Sequence, residues 1–410
     1  MSGASLPSQL RVNITYFSLQ IWFWGMMAAF SGYQTAIILG RGFSSGQAGI
    51  FISLGCLAGI FAQPMLGAWA DRHPEVPLKR LFGGCMLLAL GCHGVFYFAR
   101  PGFFGTAVIF LALGALETNS YPLIDAMSMQ FLNAGVNVRY SLGRGLGAFA
   151  YAIVSVLVGQ QARRFGVESA LITHAALVIL ILAALTVFPA FSPSALPAEN
   201  TEPAHSPVYI LKHNPAFTVM LGAGFFGLMA VMPIVNFLIN LVNDRGGDSG
   251  DLGLALFLMA ASELPGALLF QWLWKKTNIE KVMLVSVVFM AMKPLLFFFC
   301  RNLRLLLVLQ PVQMLGYGLF NPGNVYFANE NVPPEDRVQG QSLKMVATNG
   351  LSGVLGNLIA GSIIDRGGVD TMLLFCFFSG MVGIFLAFWS VHLRKRKKSL
   401  DLPPTGGCIS

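Results

Sequence analysis

The sequence predicts an all-α membrane protein in which 12 transmembrane helices form two pseudo-symmetric six-helix bundles. Three observations carry this. The 410 residues are 55% hydrophobic and 11% charged, where soluble domains average roughly 25% charged. Apolar runs repeatedly reach the ~20 residues a helix needs to span a bilayer. The runs also lack the period-two alternation of membrane strands, which leaves helices as the structure that satisfies its own backbone in lipid. The 45 glycines and 34 phenylalanines suit close helix packing inside lipid.

Breaking the apolar runs at polar clusters places the helices at 15–39, 46–70, 80–99, 104–131, 138–162, 168–191, 216–242, 252–274, 281–300, 304–329, 341–364 and 370–393. The stretch SPSALPAENTEPAHSPVYILKHN, rich in Pro, Ser and Glu, divides six helices from six. It reads as a linker. The expected organisation is an N-terminal half at 1–191, a cytoplasmic linker at 192–214, a C-terminal half at 215–393 and a basic tail at 394–410. GAWADRHPEVPLKR after the second helix has a weak echo in FQWLWKKTNIEKVML after the eighth. Repeated halves of this kind characterise transporters that alternate access around a central site.

Lysine and arginine set the orientation. Arg72, Lys79 and Arg80, then Lys275, Lys276 and Lys281, and finally the run Arg394–Lys398 fall on the side of the termini. Both termini are therefore expected in the cytoplasm, with the chain in a plasma membrane of the bacterial inner-membrane kind. The net charge of +8 is explained by these loops, so nucleic acid is not expected as a partner, whereas anionic lipid is. The N-terminus lacks the arrangement of a cleaved signal peptide. The six cysteines are scattered without CxxC spacing, as small buried hydrophobes. With no GxxxxGK[ST] phosphate loop, no metal-ligand cluster and no Ser/His/Asp arrangement, neither an enzyme, a cofactor nor a metal is expected.

The informative residues are charges at membrane depth. Each costs ~2.5–3.5 kcal/mol in hydrocarbon, so it normally faces a partner or an aqueous cavity. Asp125 and Arg144 lie on two helices joined by a short turn, and suggest a pair. Tyr151 lies about two turns beyond Arg144 on the same face. Glu263 is followed by Pro265, which distorts its helix and frees backbone near the acid. Lys293 either pairs with Glu263 or snorkels to the interface, and Lys344, within a turn of the cytoplasmic end, could snorkel too. Glu117 precedes Asp125 by eight residues, about 80° past two full turns, so the two acids share a broad face. His93 stands alone and reads as a packed histidine. Tyr33 and Gln34 are weak candidates to line a cavity, while Trp22 and Trp24 equally suit a membrane interface.

FAQPMLGAWADR, with Gln63-Pro64, Gly67 and Asp71-Arg72, resembles the helix 2–3 loop signature of the major facilitator superfamily. Together with PLIDAM, YSLGRGLGAFAY, and Lys344 and Asn357 of SLKMVATNGLSGVLGNLIAG, it looks like the lactose permease-like branch of oligosaccharide:proton symporters. The ATNG portion is also similar to nucleoside:proton symporters. The resemblance implies that Asp125 and Arg144 form or exchange a charge pair that contacts substrate. Tyr151 then stands where a tryptophan stacks on sugar, Glu263 matches a substrate-bonding acid, and Lys293 replaces an arginine beside the proton site. Gly67, Asp71 and Arg72 are expected to gate. Gln313 and Gly316 stand where the family has a histidine and a proton-accepting glutamate, so Glu117 and Glu263, with Lys293 and Lys344, become the candidates for proton coupling.

The resulting expectation is a monomeric symporter that imports a sugar or oligosaccharide with protons. A nucleoside or aromatic acid is the alternative solute. A solute sensor or a uniporter without proton coupling is the alternative of another class.

Overall fold

The structure, a computed structural model, describes residues 7–118, 120–191, 205–333 and 336–400. Most of the expected linker (192–204) and the end of the tail (401–410) lie outside the described residues. Residues 396–400 are described in backbone only.

The helices are α1 Gln9–Phe30, α2 Gln34–Gly40, α3 Ser45–Arg72, α4 Leu78–Ala99, α5 Phe103–Leu113, α6 Tyr121–Asn133, α7 Tyr140–Phe165 and α8 Ser169–Val187 in the first half. The second half contains α9 Pro207–His213, α10 Pro215–Asn236, α11 Leu238–Asp244, α12 Ser249–Lys276, α13 Ile279–Phe299, α14 Leu303–Leu309, α15 Tyr317–Asn331, α16 Arg337–Met345 and α17 Ser352–Leu400. Ten segments are long and apolar enough to cross a membrane. One of them, Gln339–Lys395, is two rods meeting at Gly368, whose φ of 75° is open to glycine at little cost. The first rod, α1, is more polar but equally long, which brings the rods to the expected twelve. It begins six residues earlier than its hydropathy suggests, because the Ser8 hydroxyl accepts from the Arg11 amide and caps it.

Corresponding rods of the two halves break at corresponding places. The first rod of each half is interrupted near one end, between α1 and α2 and at Phe237 between α10 and α11. The fourth rod of each half is interrupted in mid-length, by a π-turn at Gly114–Thr118 and by a 3-10 turn at Gln310–Met314. The fifth rod of the second half carries another π-turn, Val346–Leu351. Broken helices at membrane depth characterise transporter binding sites, where freed backbone lines a cavity.

Three apolar cores describe how the halves meet. One lies within the first half, around Tyr16, Phe23, Phe82 and Phe131, and one within the second, around Phe217, Met283, Met290 and Phe327. The third joins both halves at the end opposite the termini, through Phe30, Ile37, Phe51, Phe237, Leu256 and Phe297. There α7 and α12 touch almost backbone to backbone, and a Cβ on Gly253 would lie 2.5 Å from the Ser155 carbonyl. Polar latches reinforce this end. Asp365 accepts from the Ser44 hydroxyl and from the Ser45 and Gly46 amides, across the halves at the N-terminus of α3. Its negative charge also complements the helix dipole. Arg163 of α7 pairs with Asp248 and Asp251 of α12.

At the terminal end Gly67 has no neighbour within 4 Å of a built Cβ, and Asp71 and Arg72 are exposed. The molecule is closed at one end and parted at the other.

Candidate solute site and the buried charges

The site forms where α1, α6 and α7 of the first half face α12, α13 and α15 of the second. Two glycines of the GRGLGA stretch bring α7 against α1. A Cβ on Gly143 would meet the Tyr16 ring at 2.3 Å, and one on Gly147 would meet the Trp24 indole at 2.4 Å. Between these contacts Arg144 emerges with its guanidinium 5.0 Å from the Trp24 ring and 5.8 Å from the Tyr121 ring. Its Nη1 is buried without a hydrogen-bond partner among the described residues. Such cation–π contacts hold the charge in place while leaving its in-plane donors free.

Asp125 does not form the expected direct ion pair with Arg144. The Gln20 amide donates to Oδ1 at 3.1 Å and the Tyr140 hydroxyl to Oδ2 at 3.0 Å. Gln20 in turn donates to the Tyr16 hydroxyl and accepts from the Trp24 indole at 3.0 Å. The carboxylate is thus filled by neutral donors, and Arg144 lies within its electrostatic range as a separate group. Sequence reasoning passed over Gln20, Tyr121 and Tyr140. It also set Trp24 aside as interfacial, although Gln20 and Trp24 stand one turn apart in line with Tyr16.

On the second half, Glu263 of α12 lies within electrostatic range of Tyr151 and Tyr317. Tyr317, at the start of α15, is also within range of Tyr121 and Arg144. Lys293 does not pair directly with Glu263, nor does it snorkel. It is 2% exposed, and its ammonium donates to Gln313 Oε1 at 2.7 Å. Lys344 is likewise buried, at 7% exposure, and forms no ion pair among the described residues. Asn357 is spent on structure, donating to the Gly353 carbonyl and accepting from Asn236.

The structure places three expectations elsewhere. Tyr33 is fully buried at the closed end, its hydroxyl donated to the Ser155 carbonyl at 2.6 Å, and Gln34 is buried beside it. Neither stands beside Asp125 or Arg144. Glu117 does not share a face with Asp125, because the π-turn and the break before α6 change the helical phase between them. His93 is not isolated. Its Nε2 is 2.9 Å from Glu117 Oε2, and His174 Nε2 is 3.1 Å from Oε1. His174, on α8, carried no signal in the sequence beyond being a histidine in an apolar run.

Residues 10–375 match the MFS_1 like family. The chain belongs to that family. It is a multi-pass membrane transporter of the major facilitator type and not an enzyme. Among curated relatives of this facilitator are a maltose permease of Geobacillus stearothermophilus, 24% identical over 87% of the chain and 88% of the relative, and the uncharacterised transporter YwbF of Bacillus subtilis strain 168, 22% identical over 88% of each. In fold it matches the nucleoside transporter NupG with a TM-score of 0.76 and 18% identity, over 94% of this chain and 99% of that one. A bacterial homologue of the human lysosomal transporter Spinster, in an inward-facing and unoccupied conformation, matches with a TM-score of 0.69 and 12% identity, over 98% and 100%.

Proposed function

We propose that this facilitator imports a sugar or small oligosaccharide together with protons, working as a monomer in a bacterial inner membrane with both termini in the cytoplasm. The observation that carries the solute assignment is the Arg144 guanidinium, held over Trp24 and Tyr121 with Nη1 free of a partner. A polyhydroxylated ring offers what this arrangement accepts: hydroxyl oxygens for the planar donors and an apolar C–H face for aromatic rings. Asp125, Tyr151 and Glu263 supply the acceptors and the opposing wall. The likeness to a maltose permease supports the same class of solute.

The parted end carries Arg72 and Lys276 at the ends of α3 and α12. The excess of positive charge on that side supports a cytoplasmic orientation, and with it an inward-facing state. The halves 1–191 and 215–393 are the rocking bodies, joined by 192–214. Gly67, Asp71 and Arg72 close the cytoplasmic end in the opposite state, and Tyr33 and Gln34 reach the cavity there. Glu263 is proposed to bond the solute, with Lys293 held by Gln313 at its back.

A nucleoside is the second reading, favoured by the three rings of Trp24, Tyr121 and Tyr317 around Arg144, enough to stack on a base. Counterflow into proteoliposomes decides between them. Vesicles preloaded with maltose, other oligosaccharides or uridine are offered the labelled counterpart. Exchange of a sugar supports the proposal, and exchange of uridine alone refutes it.

A further inference from the structure

We propose that His93, Glu117 and His174 form a proton-binding site of their own inside the first half, separate from the solute cavity, and that this cluster carries the coupled proton. The assignment rests on the symport reading above. Each imidazole uses Nε2 on a different oxygen of one carboxylate, at 2.9 and 3.1 Å. The rings lie 3.8 Å apart, and Phe30 of α1 covers both. All three residues are buried to 2% exposure or less, and no lysine or arginine of the described residues lies within ion-pair distance of Glu117.

The bonding pattern sets how the cluster can hold two or three protons. With both Nε2–H groups donating to an ionised Glu117, two protons are present and the net charge is −1. A third proton makes the cluster neutral, the form a fully buried site favours. With both bonds kept, a hydrogen on one Nδ1 accommodates that proton, whether the carboxyl or the second imidazole is counted as its owner. Both Nδ1 atoms are buried and without a partner among the described residues, so they are open to take up and release the proton. The three side chains also lie close enough to share a metal ion, but histidine ligands normally donate their second nitrogen to an acceptor, which neither Nδ1 has among the described residues.

Glu117 of the cluster and Tyr121 of the solute site are four residues apart in sequence. Glu117 lies in the π-turn Gly114–Thr118, a kind of defect that recurs at functional sites. The Ser120 hydroxyl donates to the Glu117 carbonyl at 2.8 Å, and α6 starts at the next residue, Tyr121, whose ring faces Arg144. Gly114 seats the turn against α3, where a Cβ would fall 2.2 Å from the Gly55 carbonyl. The titratable groups facing Glu117 are the two histidines and Cys92 of α4. From α1 and α5 the neighbouring rings Phe30 and Phe110 present only hydrocarbon.

Two readouts in proteoliposomes test this. Counterflow reads the solute site, and accumulation driven by an inward pH gradient reads the coupling. Glu117→Gln, and separately His93→Asn and His174→Asn should the first not fold, are expected to retain counterflow within about threefold and to lose at least tenfold in accumulation. A folded Glu117→Gln that accumulates solute like the wild type overturns the cluster and leaves symport standing. A wild type that exchanges solute but never accumulates it overturns symport, and the cluster's role with it. One equivalent of Zn²⁺ bound by the wild type and lost in Glu117→Gln overturns the proton assignment in favour of a metal site.

Discussion

Trp24 lies beneath the Arg144 guanidinium, its ring 5.0 Å from the charge, while its indole N–H is donated to Gln20. That hydrogen bond fixes the ring, and Gly147 gives it room. Arg144 is thus oriented by an aromatic neighbour, with Asp125 anchored separately by Gln20 and Tyr140. Cation–π contacts are worth about 0.5–2 kcal/mol. Trp24→Ala should weaken solute binding by roughly 3- to 30-fold on that scale, and Trp24→Phe by less, as measured by calorimetry on the purified protein. Equal losses in the two variants would show that ring stacking contributes nothing.

The closed end depends on charge. Asp248 is held below its ordinary carboxylate value of 3.8 first by its hydrogen bond from Arg163, and further by the Asp251 and Gly250 amides. A lowered value in the folded state means this contribution is complete above 3.8 and fades as pH falls below it. Asp248→Asn should remove it at every pH. Spin labels at the exposed Arg164 and Asn243 should move apart at neutral pH in Asp248→Asn, and further in Asp365→Asn, which also strips the N-terminus of α3. The wild type should part only on strong acidification. Unchanged distances in both variants would mean that apolar contacts alone hold the closure.

Lys293 tests how a buried ammonium is kept. Its hydrogen bond to Gln313 offsets part of the cost of burial. Removing the acceptor leaves a charged donor unsatisfied, at a cost of about 1–3 kcal/mol or more. Gln313→Leu should lower the melting temperature in detergent, whereas Gln313→Glu should keep or raise it by supplying a counter-charge. A stable Gln313→Leu would indicate that Lys293 is neutral in the folded protein.

The twelve rods and their order were legible because hydrophobic length is a local property, and Asp125, Arg144 and Glu263 stood out because charge is rare at that depth. What escaped was set by packing across the chain. Gln20 and Trp24 look ordinary until Gly143 and Gly147 draw α7 against α1. The partner of Asp125 was misjudged because sequence spacing cannot tell that Gln20 and Tyr140 reach its oxygens first. Glu117 was placed by an ideal helical phase that the π-turn does not keep. His93 and His174 are far apart in sequence, and only the packing of α4 against α8 brings them onto one carboxylate.

The most direct measurement is the pH change that follows addition of maltose to proteoliposomes carrying the wild type or Arg144→Lys. The account predicts sugar-dependent alkalinisation outside the vesicles for the wild type. It predicts a loss of at least tenfold for Arg144→Lys, since an ammonium cannot replace the planar fork. Sugar uptake without proton movement, or full activity in Arg144→Lys, would contradict it.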